Sequence, residues 1–320
     1  MNEIFKAGDR AQLTGPKGKM NTIVLEVGGK LGTHKGDIHH DQIIGIPSGS
    51  VIENRNGDKY LVLKPLLSDY VLSMPRGAQI IYPKDAAQII VEGDIFPGAT
   101  VIEAGVGSGA LSAYLLRAIG DSGHLHSFEV REEFAQIAKA NVANFLDGEP
   151  KNWTVRIGKL QEQLPLAIDA KSADRAILDM LAPWECVEAV HAALRPGGVL
   201  VVYVATVTQL SRTVEEIKSL GGFTDPSAFE TTVRPWHLEG LAVRPEHRMI
   251  GHTGFLMTAR RLADDTTLPD FRTRRVNKAE FTDADMDSWL PEAMGVRPIG
   301  EKKLRKTVRK VTSETDKRKN

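Results

Sequence analysis

The feature that most constrains the fold is an alternation of apolar strand-like runs with amphipathic helix-like stretches between residues 84 and 262. The strand candidates are TVIEAG, HLHSFEV, WTVRIG, DRAILDM and GVLVVYVA, and the helical stretches lie at 110–119, 131–146, 183–194 and 207–220. This alternation predicts an α/β fold, a mostly parallel sheet with helices on both faces. Two later runs, FETTVRPWHLEG and GHTGFLMTARR, have no helix between them and predict an antiparallel pair at one edge.

Residues 1–75 predict a separate small β domain that precedes the α/β domain of residues 76–262. Asn56-Gly57 lies between two runs rich in strand-forming residues, and Asn-Gly favours a tight hairpin because both residues tolerate positive φ. The stretch GTHKGDIHHD gathers His34, His39, His40 and Asp41, but its spacing fits no common zinc pattern. We therefore expect turn chemistry there and no metal site.

Residues 263–320 predict a polar to basic C-terminal extension, partly disordered, because periodicity weakens after Leu262 and charge accumulates in EKKLRKTVRK and DKRKN. Over the whole chain Lys plus Arg equals Asp plus Glu at 41 each, so the total charge favours no partner. Two interpretations of the extension stay open. It is either a solvated tail or an arm that contacts RNA, since Lys and Arg bind phosphate without fixed structure.

Composition excludes several classes of protein. No apolar run approaches the roughly 20 residues of a membrane span, and the segment MNEIFKAGDR does not resemble a signal peptide, so we expect a cytoplasmic protein without a membrane partner. Cys186 is the only cysteine, which excludes an internal disulfide and a cysteine-rich zinc site. Redox and thiol chemistry are therefore not expected.

The loop VIEAGVGSGA holds Gly105, Gly107 and Gly109 between a predicted strand and a predicted helix. The pattern satisfies G-x-G-x-x-[GA], so it is compatible with a dinucleotide as well as with S-adenosylmethionine (SAM). Glu103 favours SAM over a dinucleotide. A carboxylate at the strand end would repel a pyrophosphate but suits the ammonium or sulfonium of SAM.

Two further acids lie at the ends of predicted strands. Glu129 comes twenty residues after Gly109, where an acid commonly binds ribose hydroxyls, although it is also compatible with a solvated strand end. Asp179 ends the run AILDM before Pro183 and Trp184. Ligands of open α/β sheets bind outside the carboxyl ends of the strands, so Asp179 is expected to face the reacting atoms; a helix N-cap is the alternative.

Five segments, in their order and spacing, resemble the tRNA adenine N1-methyltransferases that modify adenine-58 of the T-loop, in particular the actinobacterial form. They are SMPRGAQIIYPKDA, EAGVGSG, LDMLAPW, YVATVTQL and GHTGFL, and the resemblance covers residues 8 to 262. It implies a Rossmann-like SAM-dependent methyltransferase domain behind a small N-terminal β domain, tRNA as substrate and a homotetramer. The extension lies outside it.

Residue by residue, the resemblance implies that Asp179 faces the target base and that Tyr82 and Tyr203 lie near the adenine. Without it, core or rim packing is an equal interpretation of each tyrosine. Lys159 departs from the family, which often has an acid at that position. The resemblance also implies that the turn from Ser108 to Leu111 lies against SAM. The residues predicted to contact SAM, from the loop and the acids or from the resemblance, are Glu103, Gly105, Gly107, Ser108, Gly109, Ala110, Leu111, Glu129, Lys159 and Asp179.

Other functions remain compatible with the residues alone. A nicotinamide dehydrogenase or a small-molecule methyltransferase could use the same glycine loop, and a methyltransferase fold that has lost its cofactor could serve as an RNA-binding scaffold. Thermal shift with SAM, S-adenosylhomocysteine and NAD would separate these classes, because a ligand that binds only the folded state raises its stability.

Overall fold

The computed structural model describes residues 4–34, 36–269 and 301–319. The strands are β1 (Arg10–Thr14), β2 (Met20–Val24), β3 (Lys30–Thr33), β4 (Gly36–His39), β5 (Ser50–Glu53), β6 (Lys59–Leu63), β7 (Thr100–Ala104), β8 (His124–Glu129), β9 (Trp153–Ile157), β10 (Ala173–Asp179), β11 (Leu194–Val204), β12 (Ser227–Phe229), β13 (Trp236–Glu239), β14 (Ala242–Pro245) and β15 (Phe255–Arg260). The α-helices are α1 (Leu67–Ser73), α2 (Pro83–Glu92), α3 (Ala110–Ile119), α4 (Glu132–Leu146), α5 (Leu160–Ala167), α6 (Val187–Ala193), α7 (Val207–Leu220) and α8 (Glu301–Lys319).

The N-terminal region is an antiparallel sheet in the order β2-β1-β6-β5, with β3 and β4 forming a separate hairpin. Alternation along β1 buries Ala11 and Leu13, which pack with Phe5 and Val62 in a core of their own. β5 and β6 pair across the predicted Asn-Gly turn. The connection is five residues long rather than two, because the Asn54 side chain accepts hydrogen bonds from two backbone amides inside it.

The central sheet has seven strands in the order β12-β15-β11-β10-β7-β8-β9. Strands β7 to β11 are parallel, and β15 and β12 are antiparallel additions at one edge. Helices α1 to α4 pack on one face and α5 to α7 on the other, which gives two apolar layers. The mostly parallel α/β fold predicted from the alternation is confirmed.

The antiparallel edge differs in detail from the prediction. β15 lies within the predicted run, but it pairs with β11 and β12, and β13 pairs with β14 in a hairpin of its own. Gly240 adopts a positive φ of 53°, so the chain turns back tightly after β13. The predicted helix at 183–194 begins instead as a 3₁₀ turn, Pro183–Cys186, before α6.

The structure describes part of the C-terminal extension. Residues 301–319 form a helix rather than a disordered segment, and Leu304, Val308 and Val311 pack against Phe134 and Ile137 of α4. The apolar residues recur at helical spacing, a weak signal beside so many charges. Residues 270–300 of the predicted extension lie outside the described residues. Within the described ranges, no helix is long and apolar enough to cross a bilayer.

Candidate active site

The predicted site residues meet at the carboxyl ends of the parallel strands. Register pairs Glu103 of β7 with Ser127 of β8, and Asp179 of β10 with Tyr203 of β11. The chain runs outward from β7 through β8 to β9 and then returns to the other side of β7 with β10. A reversal of strand order of this kind opens a crevice at the carboxyl edge, where ligands of open α/β sheets bind.

The three glycines of the loop between β7 and α3 differ in how closely other atoms approach them. Gly105 and Gly109 have φ of 86° and 80°, and a Cβ at Gly105 would lie 1.7 Å from the carbonyl oxygen of Asp179. A Cβ at Gly109 would lie 3.0 Å from the backbone of Ala138. Gly107 is less crowded, with only the Ala78 side chain near its Cβ position, at 3.7 Å. Close packing therefore requires the outer two glycines, and the middle one borders open space.

Glu103 is fully buried beneath this loop. Its carboxylate accepts hydrogen bonds from the hydroxyls of Ser112, at 2.8 and 2.9 Å, and Ser127, at 2.6 Å. The indole of Trp153 in turn donates to the Ser127 hydroxyl at 2.8 Å. Burial raises the pKa of Glu103 to about 7, against the lowering effect of the two serines. The carboxylate is therefore costly to charge unless a cation lies nearby.

Glu129 lies at the end of β8 and is 4% exposed. One oxygen accepts from the Gly107 amide at 3.2 Å, and the other accepts from the Arg131 amide at 3.0 Å. The carboxylate thus ties the glycine loop to the start of α4, and its remaining lone pairs can still accept from a ligand. A solvated strand-end role does not fit this degree of burial.

Asp179 is half-buried in the crevice, and the described residues donate no hydrogen bond to its side chain. Burial raises its pKa to about 7, and the negative charges of Glu103 and Glu129 add to the shift. The structure does not support the helix-cap alternative, since the residue preceding the 3₁₀ turn is Ala182. Asp179 is an acceptor that the fold leaves available.

Tyr82 and Tyr203 lie on the α2 side of the same crevice. Tyr203 is 7% exposed, and Gly254 makes room for its ring, because a Cβ there would lie 2.5 Å from the ring carbon that bears the hydroxyl. Its hydroxyl is buried with no hydrogen-bond partner among the described residues. Burial raises the pKa of Tyr203, an interaction with the Thr253 side chain lowers it, and Asp85, Asp179 and Tyr82 raise it further through their charges.

A buried polar network beside the tyrosines was not identified from the sequence. Lys84 donates to Asp85 at 2.7 Å, to Thr253 at 2.6 Å and to the Thr231 carbonyl at 2.7 Å. Thr253 donates to Asp85 at 2.6 Å. Three of these residues lie in the segments YPKD and GHTG, which belong to the resemblance. The sequence therefore contains the residues of the network but does not show that they contact each other.

The remaining predicted contacts occupy different environments. Ser108 is buried, and its hydroxyl has no partner among the described residues, while its carbonyl accepts from Asn141 at 2.9 Å. The Ala110 and Leu111 side chains belong to the core, so only their backbone amides can face the loop. Lys159 is exposed at the start of α5. Its neighbour Gly158 donates to the Glu129 carbonyl, which keeps Lys159 near the edge of the crevice.

Glu103 makes folding depend on pH in a predictable direction. Its pKa rises from 4.5 to about 7 on folding, so the native state binds the extra proton and stability falls as pH rises between these values. Replacing Glu103 by glutamine should therefore stabilise the ligand-free protein relative to wild type, by about 3 kcal/mol more at pH 8 than at pH 4. Urea unfolding at both pH values measures the difference, with Glu188→Gln on the surface as the control. An equal effect of both substitutions would contradict the buried, high-pKa carboxyl.

Comparison with known proteins agrees with this geometry. Residues 60–244 match the family described as the tRNA methyltransferase complex GCD14 subunit, and residues 4–52 match the TrmI-like N-terminal family. The tRNA (adenine(58)-N(1))-methyltransferase TrmI of Thermus thermophilus is 33% identical over 245 residues, which are 77% of this chain and 94% of that protein. The chain belongs to the GCD14 family.

Two solved structures have the same fold as this GCD14-family protein. A SAM-dependent O-methyltransferase from Thermotoga maritima superposes with a TM-score of 0.77 and 31% identity, covering 82% of this chain and 97% of the other. The tRNA (m1A58) methyltransferase TrmI from Aquifex aeolicus gives 0.72 and 28%, covering 82% and 100%. The fold is that of the SAM-dependent methyltransferases.

Proposed function

We propose that this protein transfers a methyl group from SAM to N1 of adenine-58 in the T-loop of tRNA. The observation that carries the proposal is Asp179, an acceptor to which no described residue donates, facing the crevice between the glycine loop and two tyrosines. Membership of the GCD14 family and the relatives named above support the same substrate.

The charged and polar side chains around the crevice fit SAM better than a dinucleotide. Glu103, Glu129 and Asp179 lie close enough for Glu129 to raise the pKa of both other acids. Three converging carboxylates repel a pyrophosphate and attract a cation. Glu129 retains acceptor capacity for the ribose hydroxyls. The buried Ser108 hydroxyl has no partner among the described residues, and α3 begins with Ala110 and Leu111, whose backbone amides can face the loop. SAM, when bound, would supply a positively charged sulfonium with an electrophilic methyl group.

Methylation of adenine N1 needs alignment and charge stabilisation rather than a strong base. The N1 lone pair lies in the ring plane and forms the new N–C bond as the S–C bond breaks, so the positive charge moves onto the ring. Asp179 can accept a hydrogen bond from the exocyclic amine, which increases electron density at N1 and stabilises the developing cation. The amine can later lose a proton to give the neutral product.

The tyrosines suit a base that has left its stack. The target nitrogen is paired or stacked inside folded tRNA, so the base must be extruded into the crevice. Tyr82 is half-buried at the start of α2 and Tyr203 lies next to Asp179 in register, so their rings can contact an inserted adenine. The Lys84–Asp85–Thr253 network positions this wall, because it joins the start of α2 to the segment before β15.

Glu129 provides a test of cofactor binding. We expect Glu129→Ala to weaken SAM binding by about one to two orders of magnitude, because hydrogen bonds to a charged acceptor contribute roughly 1.5–3 kcal/mol. Glu129→Gln keeps one acceptor oxygen and should lose less. Calorimetry with SAM measures both variants, after circular dichroism establishes that they are folded. An unchanged affinity in folded Glu129→Ala would refute the assignment.

The substrate itself is tested by nucleoside mass spectrometry. Unmodified tRNA incubated with the protein and labelled SAM should yield labelled N1-methyladenosine, and a transcript with adenine-58 changed to uridine should not. Label in another nucleoside would show that the protein methylates a different position. Binding of tRNA without any transfer of label would indicate a non-catalytic RNA-binding scaffold. Turnover of small hydroxylated substrates would favour the chemistry named for the Thermotoga protein.

We also propose that the protein is a homotetramer in the cytoplasm. The β13–β14 hairpin exposes Trp236, Leu238, Leu241 and Val243, at 54%, 74%, 105% and 57%. A contiguous apolar surface of this kind marks an interface, and a second copy of the chain is the occupant that the family resemblance favours. Light scattering of the purified protein measures its mass in solution.

A further inference from the structure

Helix α8 carries a concentrated positive charge. Residues 301–319 include nine Lys or Arg and three Asp or Glu, a net charge of +6 in a chain whose total is zero. Four of the basic residues, Lys302, Arg305, Lys306 and Arg309, are exposed and border one surface depression of about 590 Å³. Their spacing of three, four and seven residues from Lys302 places them on one face of the helix.

The opposite face of α8 attaches it to the methyltransferase domain. Leu304, Val308 and Val311 have the same helical spacing, and Val311 is 1% exposed against Phe134 and Ile137 of α4. At 100° per residue this stripe lies about 140° away from the centre of the basic face. The helix therefore presents the basic face outward from a fixed position instead of carrying it on a loose tail.

The position of α8 relates it to the active-site crevice. Gly77 packs so closely that a Cβ there would lie 2.9 Å from the Leu304 side chain and 2.8 Å from Phe134. The next residue, Ala78, is the nearest neighbour of the open side of Gly107. Asn141 of α4 donates to the carbonyls of Pro75 and Ser108, which holds the segment before α2 against the glycine loop. One short segment thus separates α8 from the loop.

We propose that α8 is a tRNA phosphate-binding surface, formed by Lys302, Arg305, Lys306 and Arg309, that extends the RNA interface beyond the catalytic crevice. The inference rests on the proposed function. A tRNA whose base enters the crevice must bring its backbone across the surrounding surface, and a rigid row of cations there neutralises phosphates and releases their counterions. The matched family segments end at residue 244, so this surface is a feature of the chain outside that match.

The test removes the charge and keeps the helix. Lys302, Arg305, Lys306 and Arg309 are all replaced by glutamine, a good helix former, in the full-length protein. The matched control replaces Arg117, Lys151, Lys171 and Lys218 by glutamine; these exposed residues lie at the amino ends of the parallel strands, away from the crevice. Both variants lose four positive charges, so a nonspecific charge effect cancels.

We expect the α8 variant to bind tRNA more weakly and with less dependence on salt. Each lost phosphate contact lowers the slope of log affinity against log salt by about 0.9 and the affinity at 0.15 M salt by about fivefold. Two to four contacts therefore predict a loss of about 25- to 600-fold. SAM affinity and the single-turnover rate at saturating tRNA should match those of the control.

Equal affinities and equal salt slopes in the two variants would overturn the proposal. A role in binding anionic lipid would also overturn it. That role would be indicated if the wild-type protein sediments with phosphatidylserine vesicles and the α8 variant loses this binding but keeps its tRNA affinity. Failure of the proposed function is a separate result, since wild type would then form no N1-methyladenosine in the mass-spectrometric assay whatever the salt slopes.

Discussion

Asp179→Ala is expected to lower the single-turnover methylation rate by about two to three orders of magnitude, the scale on which one preorganised electrostatic group acts. The described residues give the Asp179 side chain no donor, so its acceptor capacity remains available to the adenine amine. Asp179→Asn preserves the shape but carries no charge and can present a donor to the amine, so it should be nearly as slow. SAM affinity should change far less, because Glu103 and Glu129 remain.

Stability gives this experiment an internal control. Burial and two neighbouring acids raise the pKa of Asp179 from 3.8 to about 7, so the charged side chain destabilises the ligand-free protein at pH 8. Asp179→Asn should therefore melt at or above the wild-type temperature at pH 8 while losing activity. Near-normal turnover in the asparagine variant would remove Asp179 from the catalytic assignment.

Gly105→Ala is expected to reduce both stability and methylation strongly, and Gly107→Ala is its matched control. Both glycines have positive φ, 86° and 55°, so alanine costs about 1–2 kcal/mol at either position. Only at Gly105 does the new Cβ meet backbone, the Asp179 carbonyl oxygen at 1.7 Å. Relief of that overlap requires β10 to move, at a further cost of about 1–3 kcal/mol.

The displacement should also reach catalysis, because the atom that must move belongs to Asp179 itself. A shift of about 1 Å in a positioned group can lower a rate by about 100-fold. Thermal unfolding and single-turnover methylation at saturating SAM measure the two effects. If Gly107→Ala lost as much stability as Gly105→Ala, backbone strain rather than the contact with β10 would explain both.

The C-terminal helix α8 depends on a contact that the sequence does not reveal. Leu304, Val308 and Val311 have helical spacing, but among nine basic residues they do not show by themselves what they would bury against. Phe134 and Ile137 of α4 supply that surface from a segment more than 150 positions earlier. Without this contact a short charged helix is marginal in water, so the sequence alone left a solvated tail and an RNA-contacting arm both open.

The sequence by itself determined the alternation of strands and helices, the limits of the helices at 110–119 and 207–220, and the position of the glycine loop and of three acids at the carboxyl ends of their strands. These features depend on local periodicity and on turn chemistry within a few residues. Only the tertiary structure decided which groups meet. It placed Glu103, Glu129 and Asp179 where their charges interact, and it joined Thr253 to Asp85 across 168 positions. It also paired β15 with β12, because pairing and burial between distant segments depend on the whole packed sheet.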